Sequence, residues 1–179
     1  MAFGNRLINA GEAGPQVGDF AEGGVVFWVD GSGGGMVASL TVSYLQMSTC
    51  TNNNVAGTST AFGTGAANTA LLYANTSCGI SGATISGNAT TSTENGYSDW
   101  FAPSRDELTL MYTTVGQGTA LGNLANFVTG NGVIYWSSSA LYYALQNGWS
   151  VTAYTNGTTA VSNQSPQHYN YWFKKARSF

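Results

Sequence analysis

The chain has 179 residues and a net charge of −3, and only 7% of its side chains are charged, against about 25% in ordinary soluble domains. Yet 43% of residues are hydrophobic and 13% aromatic, too many for a disordered chain. The length suits one domain with a real core, while the charge argues against a nucleic-acid-binding surface, because Lys174, Lys175 and Arg177 form the one basic cluster.

The elements follow in chain order. Residues 1–18 read as an irregular arm, punctuated by Gly4, Gly11, Gly14, Pro15 and Gly18, with apolar residues in no period. The segment has no h-region of a signal peptide, and no apolar run in the chain approaches the roughly 20 residues of a membrane span. "GGVVFWVDGSGGGMVASL" predicts a hairpin: Val25–Val29 out, Asp30–Gly35 turning, Met36–Leu40 returning. Residues 47–66 predict a long surface loop. Ala67, Ala70, Leu71 and Ala74 then show helical spacing, with Gly79 as a stop. Residues 80–95 are again low in charge and rich in Gly and Thr.

"GYSDWFAPSRDELTLMY", residues 96–112, concentrates charges and aromatics in a chain that has few charges. Ser104 and Glu107 have the spacing of a capping box. Asp106 and Glu107 fall in the first turn, where the helix dipole favours anions. Leu108, Met111, Tyr112 and Val115 make one apolar stripe and Gly116 ends it. The charges are therefore read as helix-start chemistry ahead of catalysis. Beyond Val133 the pattern turns to strands. "VIYWSSSAL" is one, and "GWSVTAYTNGTTAVSN" is a hairpin with a type I′ signal at Asn156-Gly157. "YNYWFKKARSF" is a single closing strand, with Tyr169, Tyr171 and Phe173 on one side and Asn170, Trp172 and Lys174 on the other. Strands, two helices and an antiparallel set predict an α+β fold.

Chemistry-bearing residues are sparse. Cys50 and Cys78 are compatible with a disulfide or with two buried thiols. One histidine and no CxxC pattern argue against a zinc site. Pairing His168 with Asp99 is the weakest functional reading, because His168 lies in a polar loop with no acid nearby in sequence. Asp30, Glu94, Asp99, Asp106 and Glu107 are the candidate carboxylates for glycoside hydrolysis, which needs two in one cleft. No metal or other cofactor is expected.

Several runs taken together resemble the Lcl C-terminal domain family: "GGVVFWVD", "GTGAANTALL", "GYSDWFAPSRDELTLMY", "YWSSS" and "YWFKKARSF", covering about residues 18–179. Ala102 departs from the leucine usual there. That family is similar to C-type lectin-like folds, so the resemblance implies a twisted antiparallel sheet with two helices and long loops, and chain termini close together. It also implies that Trp100 and Leu108 pack near the helix start and that Trp136 anchors a central strand. The Glu-Pro-Asn, Gln-Pro-Asp and Trp-Asn-Asp motifs of calcium-dependent sugar binders are absent, and the late cysteines of formylglycine-generating enzymes are missing. "MAFGNRLINAGEAG" resembles the starts of some phage virion proteins.

These readings converge on a non-enzymatic virion surface protein, extracellular in location. Residues 1–18 form a docking arm contacting other virion proteins through Phe3, Arg6, Leu7 and Ile8, and residues 19–179 form a C-type lectin-like domain. That domain serves in receptor binding or capsid decoration. The alternative is a bacterial surface adhesin that binds glycan or matrix. Tyr142, Tyr143, Asn147, Gln164, Gln167, His168, Tyr169 and Asn170 are the candidate ligand contacts, because rings stack and amides hydrogen-bond. Loop 163–170 is the centre of that set. A host glycan or protein and a homo-oligomer are the expected partners, with no nucleic acid and no membrane insertion.

Overall fold

The computed structural model describes residues 14–47, 55–75, 82–141 and 147–179, without the side chain of Gln164. The elements are β1 (Phe20–Ala21), β2 (Gly24–Val29), β3 (Gly35–Ala38), β4 (Ser43–Gln46), α1 (Gly65–Ala74), α2 (Ile85–Thr90), a 3-10 turn at Glu94–Gly96, α3 (Arg105–Val115), β5 (Val133–Ala140), β6 (Asn147–Ala153), β7 (Thr159–Pro166), β8 (Asn170–Phe173) and β9 (Ala176–Ser178). The architecture is α+β. A four-stranded sheet runs β1-β2-β3-β9 and a five-stranded sheet runs β4-β8-β5-β6-β7. Pairing is antiparallel except where β5 meets β8 in parallel at Tyr135 and Trp172. The first and last described strands, β1 and β9, are the two outer strands of the same sheet and do not pair with each other.

Alternation in β2 and β3 divides the core. Val25, Phe27, Met36 and Ala38 face inward, where they meet Leu108, Met111, Tyr112 and Val115 of α3 and Tyr135, Val151 and Ala153 of the second sheet. Helix α3 is thus wedged between the sheets, as its apolar stripe requires. On the far side of the second sheet, Leu72 of α1 and Ile85 and Ala89 of α2 pack on Trp136 and Phe173. Trp136 is completely buried on β5, the middle strand of its sheet. Trp100 and Leu108 do not share a cluster: Trp100 packs on Val26 and Val37, on the outer face of the first sheet.

Residues 96–112 join these layers. The capping box forms, with Ser104 Oγ accepting from Glu107 N at 3.3 Å and Glu107 Oε2 accepting from Ser104 N at 2.7 Å. Glu107 does more than cap its own helix. Thr64 gives α1 no side-chain cap, and Glu107 Oε1 instead accepts from Gly63 N at 2.9 Å and Gly65 N at 3.3 Å. One fully buried carboxylate therefore satisfies orphan donors at two helix starts. Gly65 is required there, because a Cβ would stand inside that carboxylate. Burial pushes the Glu107 carboxyl above its ordinary pKa, against the opposing pull of the Ser104, Gly65 and Gly63 hydrogen bonds.

Four expectations are corrected. A third helix, α2, lies inside the Gly/Thr-rich run, nucleated by Thr84, whose hydroxyl accepts from Gly87 N at 3.2 Å. The β6–β7 turn is not type I′. Gly157 alone in it has positive φ, at 81°, and Gly157 N donates to Tyr154 O at 3.1 Å, the pattern of a type I turn closed by a glycine bulge. The closing strand is two strands. It leaves the second sheet after Phe173, crosses at Lys174–Lys175 and joins the first as β9. The expected loop 163–170 is strand as far as Pro166, because β6 keeps pairing with it to Asn147–Pro166 across a register shift.

The crossing is held by Lys174, a fully buried residue. Its Nζ donates to Ser39 O at 2.9 Å, to Thr41 O at 3.2 Å and to Ala125 O. Three carbonyls are the full complement for an ammonium group. Burial brings the Lys174 pKa down to about 7; Glu94 opposes that shift and Lys175 adds to it.

Candidate functional site

The predicted ligand contacts that fall on described residues gather at the turn between β7 and β8. Tyr169 N donates to Pro166 O at 3.0 Å, which closes the turn. Three ties fix it to the second sheet. Met47 N donates to Gln167 O at 3.0 Å, Gln46 Nε2 to His168 O at 2.7 Å, and Trp136 Nε1 to Tyr169 O at 3.0 Å. The buried indole that centres β5 therefore also sets the position of an outward ring, because Tyr169 is 51% exposed.

Within this group the residues differ in reach. Gln167 is completely buried, and its Nε2 donates to Asn147 O at 2.9 Å. It ties the turn to β6 and does not face solvent. Asn147 is half-buried at the start of β6. His168 is half-buried, with its ring edge-on to Tyr169 at 4.8 Å. Gln167 Oε1 and His168 Nδ1 are buried without a hydrogen-bond partner. Asn170 is exposed at the start of β8. Tyr142, Tyr143, the Gln164 side chain, Cys50, Cys78 and the arm residues Phe3, Arg6, Leu7 and Ile8 lie outside the described residues.

Two residues of this region, Tyr44 and Gln46, escaped the sequence reading, which places Trp172 beside Asn170 without making it a ligand contact. In the β4–β8 pair Tyr44 stands opposite Trp172 and Gln46 opposite Asn170. The signal was the alternation in "SYLQ", too short to separate from the loop that follows it.

The described charged groups are engaged elsewhere. Asp99 Oδ1 accepts from Arg177 Nε at 2.5 Å, and Arg177 lies over the Tyr97 ring at 3.8 Å. Asp99 thus belongs to the first sheet, and nothing joins it to His168 in the second. Glu94 pairs with Lys175 at 2.8 Å. Burial raises the Glu94 pKa, but the Lys175 and Thr41 hydrogen bonds outweigh it and leave the carboxyl below its ordinary value. Asp106 pairs with Arg105 at 2.7 Å. Asp30 accepts from Ser32 N at 2.7 Å and Gly34 N at 3.0 Å, holding the hairpin turn. Among the described residues no three His, Cys, Asp or Glu side chains cluster to hold a metal ion, and no helix is long and apolar enough to cross a membrane.

Neither a family model nor a curated protein sequence matches the chain. The fold has a counterpart among solved structures. A fimbrial protein from Bacteroides ovatus superposes with a TM-score of 0.55 at 16% sequence identity. The match takes in 81% of this chain and 36% of that one. At that identity the likeness is one of fold.

Proposed function

We propose that this chain is a non-catalytic binding module displayed on an extracellular surface assembly. The observation that carries the reading is the fold it shares, over most of its length, with a fimbrial protein. The chemistry supports it. The described carboxylates serve turns, helix starts and ion pairs, and the outward-facing residues of the β7–β8 turn are a ring and an amide. A bacterial surface adhesin is the reading this fold favours. The virion reading, with residues 1–18 as docking arm and a C-type lectin-like domain facing outward, draws support from the N-terminal resemblance. Localisation tests both. An antibody against the C-terminal domain is expected to label intact cells or purified particles without permeabilisation. Signal on cells selects the adhesin and signal on particles selects the virion protein. Signal that needs permeabilised cells refutes both.

A further inference from the structure

We infer that the Tyr44–Trp172 and Gln46–Asn170 pairs form a platform for a neutral saccharide on the β4–β8 edge of the five-stranded sheet. The inference rests on the surface-binding reading and names its ligand class.

Register builds the platform. Tyr44 faces Trp172 and Gln46 faces Asn170 across the antiparallel pair, and two-residue alternation puts all four on one face. Tyr44 and Trp172 have ring centroids 5.0 Å apart and planes inclined at 56°. Trp172 rests partly on the core, which fixes it. Tyr44 is 55% exposed, a large ring left open to solvent on a rigid strand. A cross-strand aromatic pair stabilises a sheet by itself, but that role does not require one ring to stand so far out of the packing.

The two amides supply hydrogen bonds beside the rings. Asn170 is exposed. Gln46 spends Nε2 on His168 O, which orients the side chain and leaves Oε1 as an acceptor. Two residues along a strand span about 7 Å and neighbouring strands lie about 4.8 Å apart. That is the footprint of one or two sugar rings, far below the roughly 800 Å² per partner of a stable protein interface.

Charge decides between neutral and acidic sugars. Every described cation is engaged: Arg105 with Asp106, Lys175 with Glu94, Arg177 with Asp99, and Lys174 with three carbonyls. A uronic or sialic acid would meet no described free cation. Stacked rings and amides suit uncharged hydroxyls.

The test titrates the full chain with methyl glucoside, methyl galactoside, methyl mannoside and N-acetylglucosamine, and separately with trigalacturonate. Indole N–H resonances are followed, with Trp172 assigned through Trp172→Phe. Saturable binding of at least one neutral sugar is expected to move the Trp172 signal. Tyr44→Ala, at an exposed site, is expected to weaken it about tenfold, and Asn170→Ala less. Phe20→Ala, another exposed ring, is expected to leave it unchanged. No neutral sugar bound at tens of millimolar, equal binding of trigalacturonate, or Tyr44→Ala binding like the parent chain would each overturn the inference. Adhesion of labelled protein to cells separates the two levels. Adhesion that survives Tyr44→Ala sinks the platform and keeps the surface reading. Saccharide binding with no surface localisation does the reverse.

Discussion

Replacing Glu107 by alanine tests whether one carboxylate joins two helices. The substitution removes the acceptor for Ser104 N, Gly63 N and Gly65 N. Ser104 and Gly65 are buried, whereas Gly63 is exposed and can turn to water. Two buried donors left unpaired cost about 1–3 kcal/mol each. Removing a carboxylate whose pKa burial has raised returns part of that. A net loss of about 2–4 kcal/mol follows, a large share of the roughly 5–15 kcal/mol of a typical domain. Urea unfolding reads it directly, and Tm is expected to fall by about 5–15 °C. Glu107→Gln keeps one acceptor oxygen but turns an amide donor toward N–H groups, so it falls between the two. The sign of the pH effect follows from the raised pKa. The native state holds this proton more tightly than the unfolded chain, so its contribution is complete below the ordinary carboxyl value of 4.5 and is lost as pH rises through the folded pKa. Glu107→Gln abolishes that component. An alanine variant that loses less than about 1 kcal/mol would refute the two-helix role.

Lys174→Met leaves three carbonyls at the sheet crossing without their donor, and chemical denaturation is expected to show a loss of about 2–4 kcal/mol. Because the folded pKa of Lys174 is lowered to about 7, its unfolded form binds more protons between there and the ordinary lysine value of 10.5. The parent chain should therefore gain stability with rising pH across that window, by at most about 1.4 kcal/mol per pH unit, and the methionine variant should not. Trp136→Ala is expected to cost about 3–5 kcal/mol in urea unfolding. It should also loosen Tyr169, seen as faster amide exchange in the β7–β8 turn, because it deletes the indole bond to Tyr169 O. Gly157→Ala forces a left-handed φ of 81° and brings a Cβ to 2.9 Å from Gly118 O. A loss of about 1–2 kcal/mol is expected from denaturation curves.

What was legible in the sequence was what nearest neighbours along the chain decide. The α3 cap and stripe could be read because Ser104, Glu107, Leu108 and Met111 act within two turns. The β2–β3 hairpin could be read because a polar Gly-rich turn separates two apolar runs. Helix α2 escaped because "ISGNAT" carries no stripe and weak propensity; Ile85 and Ala89 are held by packing on Trp136, a tertiary term that overrides propensity. The split of β8 from β9 escaped because no glycine or proline marks a break between Tyr169 and Phe179, and the paired Lys174 and Lys175 read as polar positions of one strand. Only carbonyls contributed by Ser39, Thr41 and Ala125 reveal that the chain changes sheets there. The candidate site divides in the same way. A polar, aromatic run marked Tyr169 and Asn170, but Gln167 turned inward and Tyr44 joined from more than a hundred residues away, through a register no local pattern encodes.

The low charge content and the binding reading have a common physical origin. A fold with few charges can place each one where a backbone crossing or a helix start needs it, as Glu107 and Lys174 show. With so few charges in the chain, the outer faces carry mostly hydroxyls, amides and rings, beside a few exposed carboxylates such as Asp30 and Asp99. A surface of that kind has little long-range field, so it neither steers nor repels charged partners. Recognition must then come from short-range stacking and hydrogen bonding on rigid strands, which is weak per site. Modules of this kind gain strength by display in many copies, where effective concentration multiplies modest affinities. An extracellular assembly that repeats the module supplies that condition, and a soluble monomer does not. The measurable consequence is a contrast in valency. The isolated chain is expected to bind its ligand in the millimolar range, and the same chain clustered on a bead is expected to adhere at least about a hundredfold more strongly. Equal apparent affinity for both forms would show that recognition is not built on repetition.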